Sequence, residues 1–323
     1  MATRVSVIIP VLDSGSRLTE CLAALDRQTL RDFSVIVVTA IDPMPSPGTD
    51  VFHFPLELMK APPEAGFGAA ANQALPSSES AYVATLSANA IPEPEWLGAL
   101  VEALDREYEI GSCASQVRFD GESNQLLYSA GIWIARDGSS KERGFRLAAA
   151  EYARNSETLC PSGCAAIHRR EMLADVGGFD DACAPDGEDL DLGLRARWAG
   201  WQSWYAAKAV TRYAASDANG RGQAGYLRER NRLHAVIKNL PFRDLMLVLP
   251  AELMRYLFAA MRRHGKESRR QLGWFIVKAH ITTMRELPHL LSARKSLKRR
   301  MTAGQMRHAL ARHRVSLYEA AHR

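Results

Sequence analysis

The sequence predicts an α/β fold built on a doubly wound sheet. Residues 5–12 and 33–38 are continuous apolar runs of strand length, which is typical of strands covered on both faces. Between them, apolar residues recur at helical spacing over 18–27. This β-α-β order predicts a right-handed crossover and parallel strands. Ligands of such sheets bind beyond the carboxyl ends of the strands, which here are residues 10–13 and 39–42.

Length and charge divide the chain into two parts. It has 323 residues, of which 47% are hydrophobic and 24% charged, as expected of a folded globular protein. Residues 252–323 contain 17 Lys and Arg against four Asp and Glu, a net charge of +13, so the remaining residues carry −8 of the total +5. We therefore predict an α/β domain over 1–240 and a basic helical extension over 241–323.

No apolar run approaches the roughly 20 residues that a membrane-spanning helix needs. The best candidate, Leu245 to Met261, is interrupted by Pro250, Glu252 and Arg255. The N-terminus runs directly into a predicted strand without a signal-peptide pattern. We expect a cytoplasmic protein.

The five cysteines are an odd number without a secretion signal, which predicts reduced thiols. Cys160, Cys164 and His168 are spaced four residues apart, and one interpretation is a zinc-binding helix face. Pro161 and Gly163 interrupt that face, which favours the alternative of buried, apolar cysteines.

The extension has a helical apolar stripe and two basic clusters. Leucines recur every four residues from Leu245, and Lys and Arg concentrate in 262–270 and 294–300. Amphipathic helices of this kind suit an anionic bilayer surface, here the inner face of the plasma membrane. One alternative is a packing extension with a solvated basic face. The other, nucleic-acid binding, lacks a recognition motif.

Three carboxylates crowd into a predicted helix over 188–199, which opens after Gly187. Glu188, Asp189 and Asp191 fit an acidic first turn, which the helix dipole favours. They also follow a loop of small residues, where functional groups concentrate. A carboxylate so placed could instead accept a proton from an attacking hydroxyl group.

The surrounding motifs resemble the second half of family 2 glycosyltransferases, which are inverting sugar transferases with the GT-A fold. The motifs are Ser162–Arg170, Val176–Asp180, Glu188–Leu192, Arg195 and Ala199–Trp201. The resemblance implies that Asp189 is the catalytic base and that Glu188 binds or orients the acceptor. It also implies that relatives extending lipid-linked glycans share similar basic tails.

The first half resembles the nucleotide-binding start of the same family, and it lacks the Gly-x-Gly-x-x-Gly of dinucleotide-binding folds. The resemblance implies a nucleoside site, a site for the diphosphate or sugar, and an arginine that faces the diphosphate. The nucleoside residues are Pro10, Val11, Asp13, Thr39 and Asp42. The others are Gly66, Asn72, Ser87, Asn89 and Arg230.

The chain departs from the family where a divalent cation is expected. Relatives hold Mg²⁺ or Mn²⁺ with an Asp-x-Asp-like triplet, but this chain has Ser87, Ala88 and Asn89. Hard cations prefer carboxylates, so Asn89 is a weak metal ligand. Asp42 follows the second strand late, and Tyr213 stands where many relatives place a metal-binding histidine. These differences indicate a metal-independent site or a catalytically silent one.

Two further segments bear on substrates. Residues 128–145 resemble an insertion of rhamnosyltransferase-like members, either a hairpin beside the acceptor or a surface excursion. The glycine-rich residues 220–225 predict a mobile lid over the donor.

The sequence thus predicts an inverting glycosyltransferase that moves a sugar from a nucleotide-sugar to a hydroxyl of a glycan or lipid-linked acceptor in cell-surface polysaccharide synthesis. The alternative is a non-catalytic, glycosyltransferase-like binding protein.

Overall fold

A computed structural model shows the architecture of the chain. The residues that it describes are 3–12, 17–42, 52–63, 65–121, 125–135, 137–183, 187–214, 223–261 and 267–315.

A ten-stranded mixed sheet forms the centre of the fold. Its main order is β10-β12-β6-β11-β4-β1-β2-β3, with β5 paired to β12 and β7 paired to β6. The strands are β1 Val5–Val11, β2 Phe33–Thr39, β3 Leu56–Lys60, β4 Tyr82–Leu86, β5 Ala90–Pro92, β6 Ile110–Phe119, β7 Leu127–Ser129, β10 Ser156–Thr158, β11 Ala165–Arg169 and β12 Gln202–Tyr213. A separate hairpin pairs β8 (Ile132–Ile134) with β9 (Ser140–Glu142).

Helices cover both faces of the sheet and continue beyond it. They are α1 Leu18–Asp26, α2 Phe67–Ala74, α3 Trp96–Asp105, α4 Arg170–Val176, α5 Glu188–Trp198, α6 Gln223–Asn239, α7 Phe242–Met261, α8 Glu267–Lys295 and α9 Ala303–Arg312. Alternate residues of β1 belong to opposite core layers: Val7 and Ile9 pack with α1 and α3, whereas Ile8 packs with α2, α4 and α5. The predicted doubly wound arrangement is therefore confirmed.

The sheet gathers the predicted site at one edge. β1, β2, β3 and β4 are parallel, and β6 and β12 run in the same direction because β11 lies antiparallel between β4 and β6. The strands therefore end together at Val11, Thr39, Leu86, Phe119 and Tyr213. The loop that enters β11 ends at the same edge, since Ala165 pairs with Leu86.

The start of α6 corrects one prediction. Gln223 to Gly225 form its first turn, so that part of the predicted lid is helical. A side chain at Gly225 would stand 3.6 Å from Phe275 of α8, and this packing accounts for the ordered turn. The rest of the predicted lid, residues 220–222, lies outside the described residues.

The second basic cluster packs onto the α/β core. Arg294 donates hydrogen bonds to the carbonyls of Ile237 and Lys238 at the end of α6. Lys298 and Arg300 both pair with Asp175 of α4. These cations join the extension to the core. The predicted division of the chain into two domains at residue 240 stays a prediction. In the described part of the chain, no helix is long and apolar enough to cross a bilayer.

Candidate active site

The three carboxylates in the first turn of α5 point in different directions. Gly187, at φ 127°, adopts a backbone conformation that favours glycine and starts the helix. Glu188 is 5% exposed, and its Cγ faces Gly68 of α2. Asp191 is fully buried, whereas Asp189 is half-buried at the cleft edge.

Asp189 lies against the loop that enters β11. The backbone N–H of Gly163 donates a hydrogen bond to its Oδ2 over 2.8 Å. A Cβ at position 163 would come within 2.4 Å of Oδ1, so only glycine permits this approach. A backbone donor stabilises the ionised form of a carboxylate and fixes its orientation, as a general base requires.

Asp191 is the centre of a buried ion network. Its Oδ2 accepts from Arg195 at 2.7 Å, and its Oδ1 lies 2.8 Å from both Lys238 Nζ and Asn239 Nδ2. Burial raises the pKa of Asp191, but the charges of Arg195 and Lys238 and the hydrogen bonds from Lys238 and Asn239 outweigh burial, so its pKa lies below the ordinary value. This carboxylate is a structural anchor of α5.

The same network holds the glycine-rich turn before α5. Arg195 donates to the carbonyls of Val176, Gly177 and Gly178, with distances of 2.8 to 3.2 Å. The side-chain amide of Asn72 on α2 forms two hydrogen bonds with the backbone of Phe179. It donates to the Phe179 carbonyl at 2.7 Å and accepts from the Phe179 N–H at 2.8 Å. Asn72 thus positions this turn, and its predicted contact with a donor stays a prediction.

The nucleoside residues surround the ends of β1 and β2. Pro10, Val11 and Thr39 are buried at these ends, and Thr39 accepts a hydrogen bond from the N–H of Ile41. Asp42 is exposed and lies 3.4 Å from Lys60. Asp13 lies outside the described residues. The structure brings the described members to one edge of the sheet, and their roles stay predictions.

The segment after β4 lies beside the start of α1. Ser87 accepts at its Oγ from the N–H of Asn89, and Asn89 Oδ1 accepts from the N–H of Arg17 at 3.1 Å. The Asn89 carbonyl accepts from the N–H of Ala214, next to Tyr213. Asn89 therefore links the end of β4 to the start of α1 and the end of β12, and its contact with a donor stays a prediction.

Ion pairs surround Asn89. The Arg17 side chain pairs with Asp120 after β6, and the Arg212 side chain lies 3.6 Å from the same carboxylate. Arg212 also lies 3.3 Å from Glu93. The carboxylate nearest to this strand end is thus engaged by two arginines.

The last two predicted residues belong to helices α2 and α6. Gly66 precedes α2 in extended backbone and starts that helix. Arg230 of α6 donates to the carbonyl of Ala182 at 3.0 Å and to Asn231 Oδ1 at 2.8 Å. Asn231 in turn donates to the carbonyl of Cys183 at 2.6 Å. Arg230 therefore borders the loop that precedes Gly187.

Sequence reasoning missed a fourth carboxylate near the base. Glu142 of β9 accepts from the Ser162 hydroxyl at 3.2 Å, one residue from Gly163. Glu142 and Asp189 both raise the pKa of the Cys160 and Cys164 thiols, after burial as the main cause. The resemblance of residues 128–145 was the signal, but only the hairpin register shows which side chain reaches the cleft.

A half-buried aromatic cluster adjoins the hairpin and was also missed. Tyr128 is central to it, with ring centroids 4.8 Å from Tyr213, 5.6 Å from Phe119 and 5.9 Å from Phe145. Strand ends and hairpin contribute these rings together, so no single sequence segment indicates the cluster.

Comparison with known proteins identifies the family. The model of a glycosyltransferase-like family 2 domain matches residues 3–234. The chain belongs to glycosyltransferase family 2. Members of this family are enzymes that transfer sugars, so the predicted enzyme class is confirmed.

Two relatives from Mycobacterium tuberculosis are similar to this chain. A pre-mycofactocin glycosyltransferase is 28% identical over 209 residues, which cover 64% of this chain and 42% of that protein. The match thus spans about two fifths of this relative's length. An N-acetylglucosaminyl-diphospho-decaprenol L-rhamnosyltransferase is 26% identical over 247 residues, which cover 68% of this chain and 79% of that protein.

Solved structures confirm the GT-A fold. A Pyrobaculum calidifontis mannosyltransferase, solved with GDP-Man and Mn²⁺, has a TM-score of 0.53 at 17% identity and 88% coverage of both chains. GalNAc-T7, solved with UDP, GalNAc and Mn²⁺, has a TM-score of 0.60 at 11% identity and covers 92% of this chain and 58% of its own. A divalent cation is therefore compatible with the fold.

The residues of this chain fit such a cation poorly at both candidate positions. Beside β4, Asn89 contributes an amide oxygen that already accepts from Arg17, and Asp120 is paired with arginine. Asp180, Cys183 and Asp191 also cluster closely enough to hold an ion. The ammonium group of Lys238 contacts both of these carboxylates, so a cation already balances their charge.

Proposed function

We propose that this protein is an inverting glycosyltransferase that moves a sugar from a nucleotide-sugar to a hydroxyl group. The acceptor is a glycan or a lipid-linked glycan, and the product serves cell-surface polysaccharide synthesis. The observation that carries the proposal is the placement of Asp189. Its carboxylate lies at the carboxyl edge of a GT-A sheet and accepts the Gly163 N–H.

The proposed step uses Asp189 as general base. The carboxylate takes the proton of the acceptor hydroxyl as the oxygen attacks the anomeric carbon. The bond from that carbon to the diphosphate oxygen breaks, and the nucleoside diphosphate leaves with the electron pair. Attack opposite to the leaving group inverts the anomeric configuration.

The donor would lie over the ends of β1, β2 and β4. Pro10, Val11, Asp13, Thr39 and Asp42 would surround the nucleoside. Gly66, Asn72, Ser87 and Asn89 would line the diphosphate or sugar, and Arg230 would face the diphosphate. Near this edge the Arg17 and Arg212 side chains pair with Asp120, so that carboxylate has its counter-charge without a metal.

The acceptor would enter from the hairpin side. Glu142 and the Tyr128 ring cluster border the cleft there, and half-buried aromatic rings suit the apolar faces of sugar rings. Glu188 would orient the acceptor from the base of the cleft. A lipid-linked acceptor is supported by the relative that is named for a decaprenol diphosphate substrate.

A lipid-linked acceptor fits the surface of the extension. Eleven of the thirteen large apolar side chains that are exposed in the described residues lie on α7 and α8, among them Leu247 at 77% and Met284 at 74%. Exposed basic side chains accompany them, including Arg243, Lys278 and Arg285. We assign this surface to an anionic bilayer at the inner face of the plasma membrane.

Vesicle sedimentation tests that assignment. The protein is expected to bind vesicles of phosphatidylglycerol and phosphatidylcholine more tightly than vesicles of phosphatidylcholine alone. Leu247→Ser combined with Met284→Ser should weaken binding to both. Equal binding by this variant and wild type would remove α7 and α8 from the contact.

Replacement of Asp189 tests the catalytic proposal. Asp189→Asn keeps the size of the side chain but removes the base, so transfer should fall by about a thousandfold or more. Donor binding, measured by calorimetry, should stay within about twofold of wild type. Equal transfer rates in variant and wild type would refute the role of Asp189.

A non-catalytic binding protein is the alternative, and the strand end Ser87-Ala88-Asn89 is the observation that favours it. Such a protein would bind a nucleotide, a glycan or a partner enzyme without turnover. It would show no transfer in wild type with any donor.

A further inference from the structure

A small, partly enclosed cavity lies beside the proposed base, and its lining includes residues of α5 and of the sheet. Its lining includes His168 of β11, Ser112 of β6, Phe179, Gly163 and Asp189. It offers about 10 Å³ to the centre of a water molecule. This is at the lower limit of the roughly 10–15 Å³ that one ordered water occupies.

His168 is the polar group that this cavity leaves unsatisfied. Its side chain is 3% exposed, and neither ring nitrogen has a hydrogen-bond partner among the described residues. Phe179 meets the ring edge-on at a centroid distance of 5.9 Å, which is an apolar contact. A buried polar group without a partner costs free energy, so native structures satisfy it with protein or water.

The imidazole is neutral in this surrounding. Burial lowers the pKa of His168 to about 4, so near neutral pH one nitrogen donates and the other accepts. Of the side chains that line the cavity, His168 and Asp189 are the titratable ones. Both line the cavity, so both face a water bound in it.

We propose that the cavity holds one water that bridges His168 to the Asp189 carboxylate. The water donates to Asp189 from beneath, while the Gly163 N–H donates from the loop. His168 is thereby a positioning residue, which fixes the water and acts on the base through it. The catalytic consequence rests on the proposed role of Asp189, but the water bridge does not.

Other titratable groups face Asp189 and set the background for the test. The charges of Asp189 and of Glu142 on β9 both act on the thiols of Cys160 and Cys164, which lie in the loop before β11. Glu188 adjoins it on α5, and the Arg197 charge acts on Cys160 from the same helix. A change at His168 leaves these four neighbours and Arg197 in place.

A matched pair of variants separates hydrogen bonding from packing. His168→Gln keeps a donor and an acceptor in the cavity, whereas His168→Leu fills it with an apolar group. The water's hydrogen bond favours the ionised carboxylate, so its loss should raise the pH at which Asp189 takes up its proton. The expected displacement in His168→Leu is about one pH unit, with His168→Gln near wild type.

The measurement is a carbon-13 NMR titration of the Asp189 carboxyl group, with the signal assigned by its loss in Asp189→Asn. The acid limb of the transfer rate should move by the same amount. Coincident titrations of wild type and His168→Leu would overturn the proposal, as would a high-resolution crystal structure with a dry cavity. A displaced titration without transfer by wild type would support the bridge and reject the proposed function.

Discussion

The proposed substrate cleft has two edges that differ in charge: the base edge around Asp189 and the donor edge around the end of β4. At the base edge, carboxylates crowd the first turn of α5, and Asp189 stands at the cleft with one backbone donor from Gly163. At the donor edge, the β4 strand end has neutral Ser87 and Asn89. The nearby Asp120 is already paired with arginine.

The buried network around Asp191 and the ion pairs around Asp120 involve different residues. At the base edge, Asp191 is paired with Arg195 and Lys238, and these pairs hold α5 in place at the cost of desolvating their charges. At the donor edge, Arg17 and Arg212 pair with Asp120, so no ion is needed to balance that carboxylate. Four changes test or refine this contrast.

Loss of Asp191 should have the largest effect on the base edge. Asp191→Ala leaves Arg195 and Lys238 buried without their shared carboxylate, and such losses cost about 3–5 kcal/mol. Chemical denaturation measures the free energy of unfolding, and the exposed Asp32→Asn is the control. A loss below about 1 kcal/mol would mean that the network does not anchor α5.

Crowding at Gly163 should misplace the base without unfolding the protein. In Gly163→Ala, the new Cβ would lie 2.4 Å from Asp189 Oδ1, so the carboxylate must move. A displacement of about 1 Å costs on the order of a hundredfold in rate. Gly304→Ala, whose Cβ would lie 3.8 Å from Thr302 Oγ1, is the matched control. Unchanged transfer in Gly163→Ala would show that this contact is not needed.

Chelation should have little effect at the donor edge. Among the described residues, the carboxylates near the β4 strand end, Asp120 and Glu93, are paired with arginines, so EDTA should change the transfer rate of wild type by less than about twofold. Mn²⁺ should restore nothing. Complete loss of transfer in EDTA, with recovery in Mn²⁺, would show that Asn89 serves a metal and would remove the contrast.

Of the four changes, acidification should have the smallest effect. It should remove the stability that Glu157 contributes at the C-terminal end of α5. A hydrogen bond with His313 and the charge of Arg197 lower the pKa of Glu157 from 4.5 to about 2. A lowered pKa contributes stability above the ordinary value of 4.5, and this contribution is lost as the pH falls towards 2. Glu157→Gln should flatten the fall in melting temperature over this range. Parallel melting curves of variant and wild type would exclude Glu157.

Local sequence patterns predict much of this molecule. The apolar runs of β1 and β2, the helix after Gly187 and the Glu-Asp pair are visible in short windows, because their burial and periodicity are local. Long-range partners are not visible. Lys238 reaches Asp191 across 47 positions, and Glu142 reaches Ser162 through a hairpin register.

The charge pattern of the sequence did not show which basic residues of the extension pack against the core. Residues 294–300 show a basic cluster in sequence, which indicated a membrane surface. In the structure, Arg294 donates a hydrogen bond to the end of α6 and Arg300 pairs with Asp175. Exposed apolar side chains of α7 and α8 now carry the membrane proposal, and their exposure depends on how helices pack.

Turnover of nucleotide-sugars in EDTA tests the central claim, an active site with an intact base edge and a metal-free donor edge. Wild type is incubated with a panel of nucleotide-sugars and a lipid-linked acceptor, and binding is followed by melting temperature. A donor at 100 times its dissociation constant stabilises the fold by about 2.7 kcal/mol. We predict that one donor shifts the melting temperature and is consumed, with release of nucleoside diphosphate. Neither a shift nor turnover with any donor, with or without Mn²⁺, would contradict the claim and leave a binding protein.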